Sequence, residues 1–176
     1  MSKGYSLLEL LIVVAIIVVF SGLSLPYFHT ATSDRQLDQE VKKFIDYVEL
    51  AKQKAAASSV SDVINDVQCV KYRGYEIVFD STTVYRVRAC CSNSAFPNNI
   101  CSYLKDKEIY TLPSGFTMSF SANINPPSVI HFPVLQLGTL LTSDATITIK
   151  SAAISKCVSV TINRVGVVNE GNKVSC

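Results

Sequence analysis

The sequence predicts an α+β fold. A long N-terminal helix, membrane-spanning in its first half and amphipathic in its second, packs on a mainly antiparallel β-sheet head. Three observations predict it. From Tyr5 to Phe28 the chain is almost wholly apolar, with Glu9 as its only charge. Leu37, Val41, Phe44, Val48, Ala51 and Ala55 then recur at alternating spacings of three and four, the stripe of an amphipathic helix. From Val67 onward the pattern turns to short β-branched and aromatic runs separated by turn residues.

The first element is the apolar run. At about 1.5 Å per helical residue it extends roughly 36 Å, enough for a hydrocarbon core of about 30 Å. Leu, Ile, Val, Ala and Phe occupy every face, so lipid or other apolar helices must surround it. A carboxylate without a partner in such surroundings costs on the order of 2.5–3.5 kcal/mol, so Glu9 calls for one. No Lys or Arg follows until Arg35. Cleavage after Gly4 would supply a cation, the free α-amino group of Tyr5, four positions before Glu9. The plainer alternative is a Glu9 hydrated at a membrane interface.

Gly4-Tyr5-Ser6-Leu7-Leu8-Glu9-Leu10-Leu11 resembles the prepilin signal of type IV pilins and type II secretion pseudopilins. The resemblance implies cleavage between Gly4 and Tyr5 by a prepilin peptidase and methylation of the Tyr5 amine by the same peptidase/methyltransferase. It also implies a role for Glu9 in docking the subunit into a filament. Pro26 stands where that family has a helix-loosening, kink-forming proline. Tyr5 stands where Phe is usual. An ordinary secretory peptide would carry small A-x-A-like residues after its apolar core, and they are missing here.

The second helical stretch starts or restarts near Ser33, where Ser33-x-x-Gln36 resembles a capping box. Lys42, Lys43, Asp46, Glu49, Lys52 and Lys54 lie off its apolar stripe, and it fades at Ser58 to Ser61. Seven short strands follow: Tyr72 to Asp80, Thr83 to Ala89, Glu108 to Leu112, Phe116 to Phe120, Val129 to Phe132, Ala145 to Lys150 and Val158 to Asn163, with Val165 to Val168 after them. Asp80-Ser81-Thr82 and Pro113-Ser114-Gly115 read as turns, and Cys91 to Ser102 reads as a loop. The organisation expected is a cleaved leader at 1–4, an apolar helix at 5–28, an amphipathic helix at 29–60 and a β-rich head at 61–176.

In the head, Leu112 to Gly115, Ile130 to Phe132, Ile147 to Ile149 and Val158 to Val168 resemble the C-terminal domain of the GspH/FimT branch of minor pilins and pseudopilins, as does Ala51 to Ser58 of the helix. That branch usually has Gly before Arg in its last turn, whereas here Arg164 precedes Val165-Gly166.

Six cysteines, Cys69, Cys90, Cys91, Cys101, Cys157 and Cys176, are candidates for up to three disulfides, with 15 possible pairings. Cys157 with Cys176 could tie down the C-terminus, and Cys90 or Cys91 with Cys101 could close a loop. Neighbours on a strand point to opposite faces, so Cys90 and Cys91 are expected to find different partners. No C-x-x-C pair occurs and no histidine is near the cysteines in sequence, so no metal and no cofactor are expected. His29 and His131 lie outside any catalytic pattern, and the G-x-S-x-G, H-E-x-x-H and phosphate-loop motifs are missing. No enzyme is expected.

The net charge of +2 gives little pull on nucleic acid. A DNA-binding minor pilin for uptake is the alternative reading, with Arg73, Arg86 and Arg88 as its weak candidates; a single-pass membrane-anchored binding or sensor protein is the other. The function implied by the resemblance is a structural subunit of a type IV pilus or type II secretion-like filament. Its partners would be the processing peptidase and other pilin or pseudopilin subunits. Single-pass residence in the inner membrane is expected before assembly, with the N-terminus cytoplasmic and the head exported, and an extracellular or periplasmic filament after it.

Overall fold

The computed structural model describes residues 7–59, 69, 71–92, 101, 103–122, 124, 128–135 and 138–176, with the side chains of 22–30 and 103–107 outside the description. Helix α1 is Leu7–Ala56. Its described side chains fall in two stretches of opposite character. Those of 7–21 are all exposed, whereas those of 31–56 carry the buried stripe.

Leu37, Val41, Phe44, Val48, Ala51 and Ala55 are each fully buried, as their spacing predicts. Burying a large apolar side chain is worth about 1.5–3 kcal/mol, so this stripe anchors the helix to the head. Phe44 meets Tyr85 edge-on with ring centroids 5.4 Å apart and Phe79 at 6.0 Å. The helix ends in a Schellman motif: Ser59 N–H bonds Lys54 O at 2.9 Å and Ser58 N–H bonds Ala55 O at 3.1 Å. That motif places Ser58 in the left-handed region, at φ 50°.

Among the described residues nine strands follow: β1 (Lys71–Phe79), β2 (Val84–Ser92), β3 (Tyr103–Thr111), β4 (Phe116–Phe120), β5 (Ser128–Pro133), β6 (Ala145–Ser151), β7 (Lys156–Ile162), β8 (Val168–Glu170) and β9 (Val174–Ser175). They form two antiparallel sheets. The first has the order β3-β2-β1-β5; the second has the order β4-β6-β7-β8, with β9 also paired to β7. Helix α1 touches β1 and β5 of the first sheet and β6, β7 and β8 of the second.

This corrects the expected fold, a long N-terminal helix on one β-sheet head. The reason lies in the chain between β3 and β4. The Pro113-Ser114-Gly115 turn, with Gly115 at φ 87° and Phe116 N–H bonded to Pro113 O, delivers Phe116 to a new partner, β6. Leu112 N–H to Thr83 O at 2.8 Å extends the β2–β3 ladder up to this turn, and Met118 N–H of β4 bonds Thr82 O of the β1–β2 turn at 2.6 Å, joining the second sheet to the first.

Among the described residues no helix is long and apolar enough to cross a membrane. This overturns the expected membrane-spanning first half and the single-pass inner-membrane placement that depended on it, for the filament subunit and for the membrane-anchored sensor alike. The described side chains of the apolar run are those of 7–21, which cover about 22 Å at 1.5 Å per residue, against the 30 Å or so that a crossing takes.

Smaller differences concern boundaries. Strand β2 runs on to Ser92, so the expected loop is shorter at its start, and β3 begins at Tyr103, ahead of the strand expected from Glu108. Val165 lies in a turn, where Gly166 N–H bonds Asn163 O and Asn163 Oδ1 accepts from Val167 N–H at 2.8 Å; the strand begins only at Val168.

Candidate functional site

Two features stand outside what the fold needs for its own core. The first is the N-terminal stretch of α1. Leu7, Leu8, Leu10 to Val14 and Ile16 to Phe20 are all exposed, Leu7 at 83% and Phe20 at 68%. A helix buries one stripe when it packs on one neighbour; here every face is open. Contiguous apolar surface of this extent marks an interaction site. Glu9 sits in the first turn of this stretch, where the helix dipole favours a carboxylate. Gly4 and Tyr5, the expected cleavage and methylation positions, lie outside the described residues, as does the side chain of Pro26.

The second feature is on the first sheet. Register puts Glu76 opposite Arg88 on β2 and opposite His131 on β5. Cys90, two residues along β2 from Arg88, shares that face. Glu76 Oε2 accepts from Arg88 Nε at 3.1 Å, and Glu76 Oε1 lies 3.1 Å from His131 Nδ1. Cys101 Sγ is 2.7 Å from the same Oε1 and 3.9 Å from His131 Nδ1. One ligand atom from each of Glu76, Cys90, Cys101 and His131 falls within 4.8 Å of every other. The group is sheltered: Glu76 is 6% exposed, His131 9% and Cys90 fully buried.

The disulfides are Cys69–Cys91, Cys90–Cys101 and Cys157–Cys176. Cys90 and Cys91 do take different partners, as strand alternation predicts, and Cys157–Cys176 closes the C-terminus. The sequence ground for expecting no metal, that no histidine is near the cysteines, does not hold in three dimensions. His131 is 30 residues from Cys101 and beside it in space. Only the β1–β5 register reveals this, and no spacing rule in the sequence carries it.

Of the candidate DNA contacts, Arg86 and Arg88 share a face of β2 as predicted, yet each is held by a carboxylate. Arg86 Nη2 lies 2.6 Å from Asp80 Oδ2, and Arg88 is on Glu76. Arg73, on β1, has Nε and one Nη buried without a hydrogen-bond partner among the described residues. These three do not form an open basic patch. Glu40 is buried and accepts from Tyr110 Oη and Lys43 Nζ.

Searches of protein-family models, of curated proteins and of solved structures find no match to the chain.

Proposed function

We propose that the protein is a structural filament subunit, a minor pilin or pseudopilin of a type IV pilus or type II secretion-like filament, assembled through the N-terminal stretch of α1. One observation carries the reading: apolar side chains on every face of 7–20 lie open while the head closes its own core around 37–55. A stretch exposed all round needs cover on all sides, and identical or sibling helices bundled in a filament core supply it. The prepilin-like segment around Gly4, Tyr5 and Glu9 supports the same reading. In it, a prepilin peptidase cuts between Gly4 and Tyr5, the Tyr5 amine is methylated, and Glu9 selects the register. A carboxylate out of register in an apolar core would be left unsolvated, at a cost of several kcal/mol.

The test is Glu9→Leu and Glu9→Gln in the full-length chain, followed by separation of filament and unassembled fractions. The expected outcome is normal cleavage and at least a roughly 10-fold loss of incorporation, equivalent to about 1.4 kcal/mol. Incorporation at the wild-type level in both variants would remove the role given to Glu9.

A further inference from the structure

We propose that Cys90, Cys101, Glu76 and His131 form a redox-gated site for a divalent transition-metal ion, zinc by its donor chemistry. The site exists when the Cys90–Cys101 disulfide is open. This is independent of the filament reading, and its residues lie in the head.

The donor set is two sulfurs, one imidazole nitrogen and one carboxylate oxygen, drawn from β1, β2, β5 and Cys101. Thiolate, imidazole and carboxylate in a four-coordinate arrangement suit Zn²⁺, which has no geometric preference of its own. Tetrahedral bond lengths of about 2.0–2.3 Å put neighbouring donors roughly 3.3–3.8 Å apart. His131 Nδ1 is 3.1 Å from Glu76 Oε1 and 3.9 Å from Cys101 Sγ, so side-chain adjustments of a few tenths of an ångström reach that geometry on these edges. The two sulfurs must separate from a bonded distance of about 2.0 Å to about 3.7 Å, which reduction permits.

Cys101 Sγ also adjoins Glu76 Oε1, at 2.7 Å, an edge that must lengthen by roughly 0.8 Å as the sulfurs part. A disulfide sulfur carries no proton, so no hydrogen bond underlies that contact in the oxidised chain. In the reduced chain the same two atoms are adjacent ligands of one ion. Charge is consistent as well. Two thiolates, one carboxylate and a divalent cation leave a single negative charge, and the Arg88 guanidinium on Glu76 Oε2 neutralises it. Arg88 also fixes the carboxylate so that Oε1 faces the sulfurs, the positioning that outer residues give metal ligands.

The gating step is thiol–disulfide exchange with a thiol reductant. Two electrons enter the Cys90–Cys101 bond, the reductant is oxidised to its own disulfide, and two protein thiols result. Zn²⁺ then displaces the two thiol protons to solvent and takes Nδ1 of neutral His131 and Oε1 of Glu76. Exchange with a disulfide oxidant, which takes up the two electrons and becomes two thiols, re-forms the Cys90–Cys101 bond and releases the ion.

The experiment titrates Co²⁺, then Zn²⁺, into the full chain reduced with a phosphine, which competes poorly for these ions, with folding followed by circular dichroism. The comparison is the reduced Cys90→Ser/Cys101→Ser variant, which lacks the same cross-links as the reduced wild type. The expected result is one Co²⁺ per chain with tetrahedral ligand-field and thiolate charge-transfer bands, displaced by Zn²⁺. The double variant should lose those bands, and His131→Ala should weaken binding more than about 10-fold. A reduced chain that binds no Co²⁺, or stays unfolded when Zn²⁺ is added, overturns the proposal. Equal binding by the double variant or by His131→Ala does so too, because the remaining cysteines would then be the ligands.

Discussion

Tyr110 Oη on β3 donates a hydrogen bond to the buried carboxylate of Glu40 on α1, joining the helix to the edge strand of the first sheet. Lys43 Nζ completes the group, 2.9 Å from Glu40 Oε1 and 3.2 Å from Tyr110 Oη. A hydrogen bond to a charged group contributes about 1.5–3 kcal/mol, so Tyr110→Phe is expected to lower unfolding stability by about 2 kcal/mol. Burial, and then the Glu40 carboxylate, hold the Tyr110 hydroxyl above its usual range, and burial does the same for Tyr85 and Tyr47. Groups raised in the fold contribute stability that is complete below about pH 10 and lost as pH rises through the raised values. Alkaline unfolding monitored by near-UV dichroism should therefore be cooperative above that pH and less steep in Tyr110→Phe.

Acid acts on a different tie. Asp34 of α1 accepts from Lys173 at 2.9 Å and from Lys156 at 3.0 Å, and these two bonds hold its carboxyl below the usual carboxylate range. A depressed carboxyl contributes stability above its unfolded value, near pH 4, which is lost as pH falls through the folded value. Amide exchange in residues 168–176 should accelerate below about pH 4 in the wild type. In Asp34→Asn the same segment should already exchange faster at neutral pH, with little further change on acidification.

Two backbone positions give predictions of opposite sign. Ser58 occupies the left-handed cap of α1, so Ser58→Gly should stabilise the protein by about 1 kcal/mol in chemical denaturation. Gly74 has φ 131°, and a Cβ there would stand 2.0 Å from Phe132 O of β5. Gly74→Ala should therefore break the β1–β5 register and destabilise by more than about 3 kcal/mol.

The sequence legibility of this fold follows its periodicities. The stripe from Leu37 to Ala55 was readable because a 3.6-residue repeat determines which side chains meet a core. The separate partners of Cys90 and Cys91 were readable because strand neighbours face opposite ways. The second sheet was not, since whether Phe116 pairs with the preceding strand or with Ser151 is settled by a turn and long-range register. The Glu76–His131–Cys101 group was hidden for the same reason: its members are remote in sequence and meet only across three paired strands. Nothing local in the sequence shows that Tyr110 covers Glu40. The apolar segment at the N-terminus is plain in composition, and its described side chains, 7–21, are exposed on every face.

The most direct test of the filament reading is the intact mass, before and after reduction, of this chain recovered in an isolated filament fraction. The account predicts a species that begins at Tyr5, carries one added methyl group and gains six hydrogens as its three disulfides open. A chain that keeps residues 1–4 and never enters the filament fraction would contradict it.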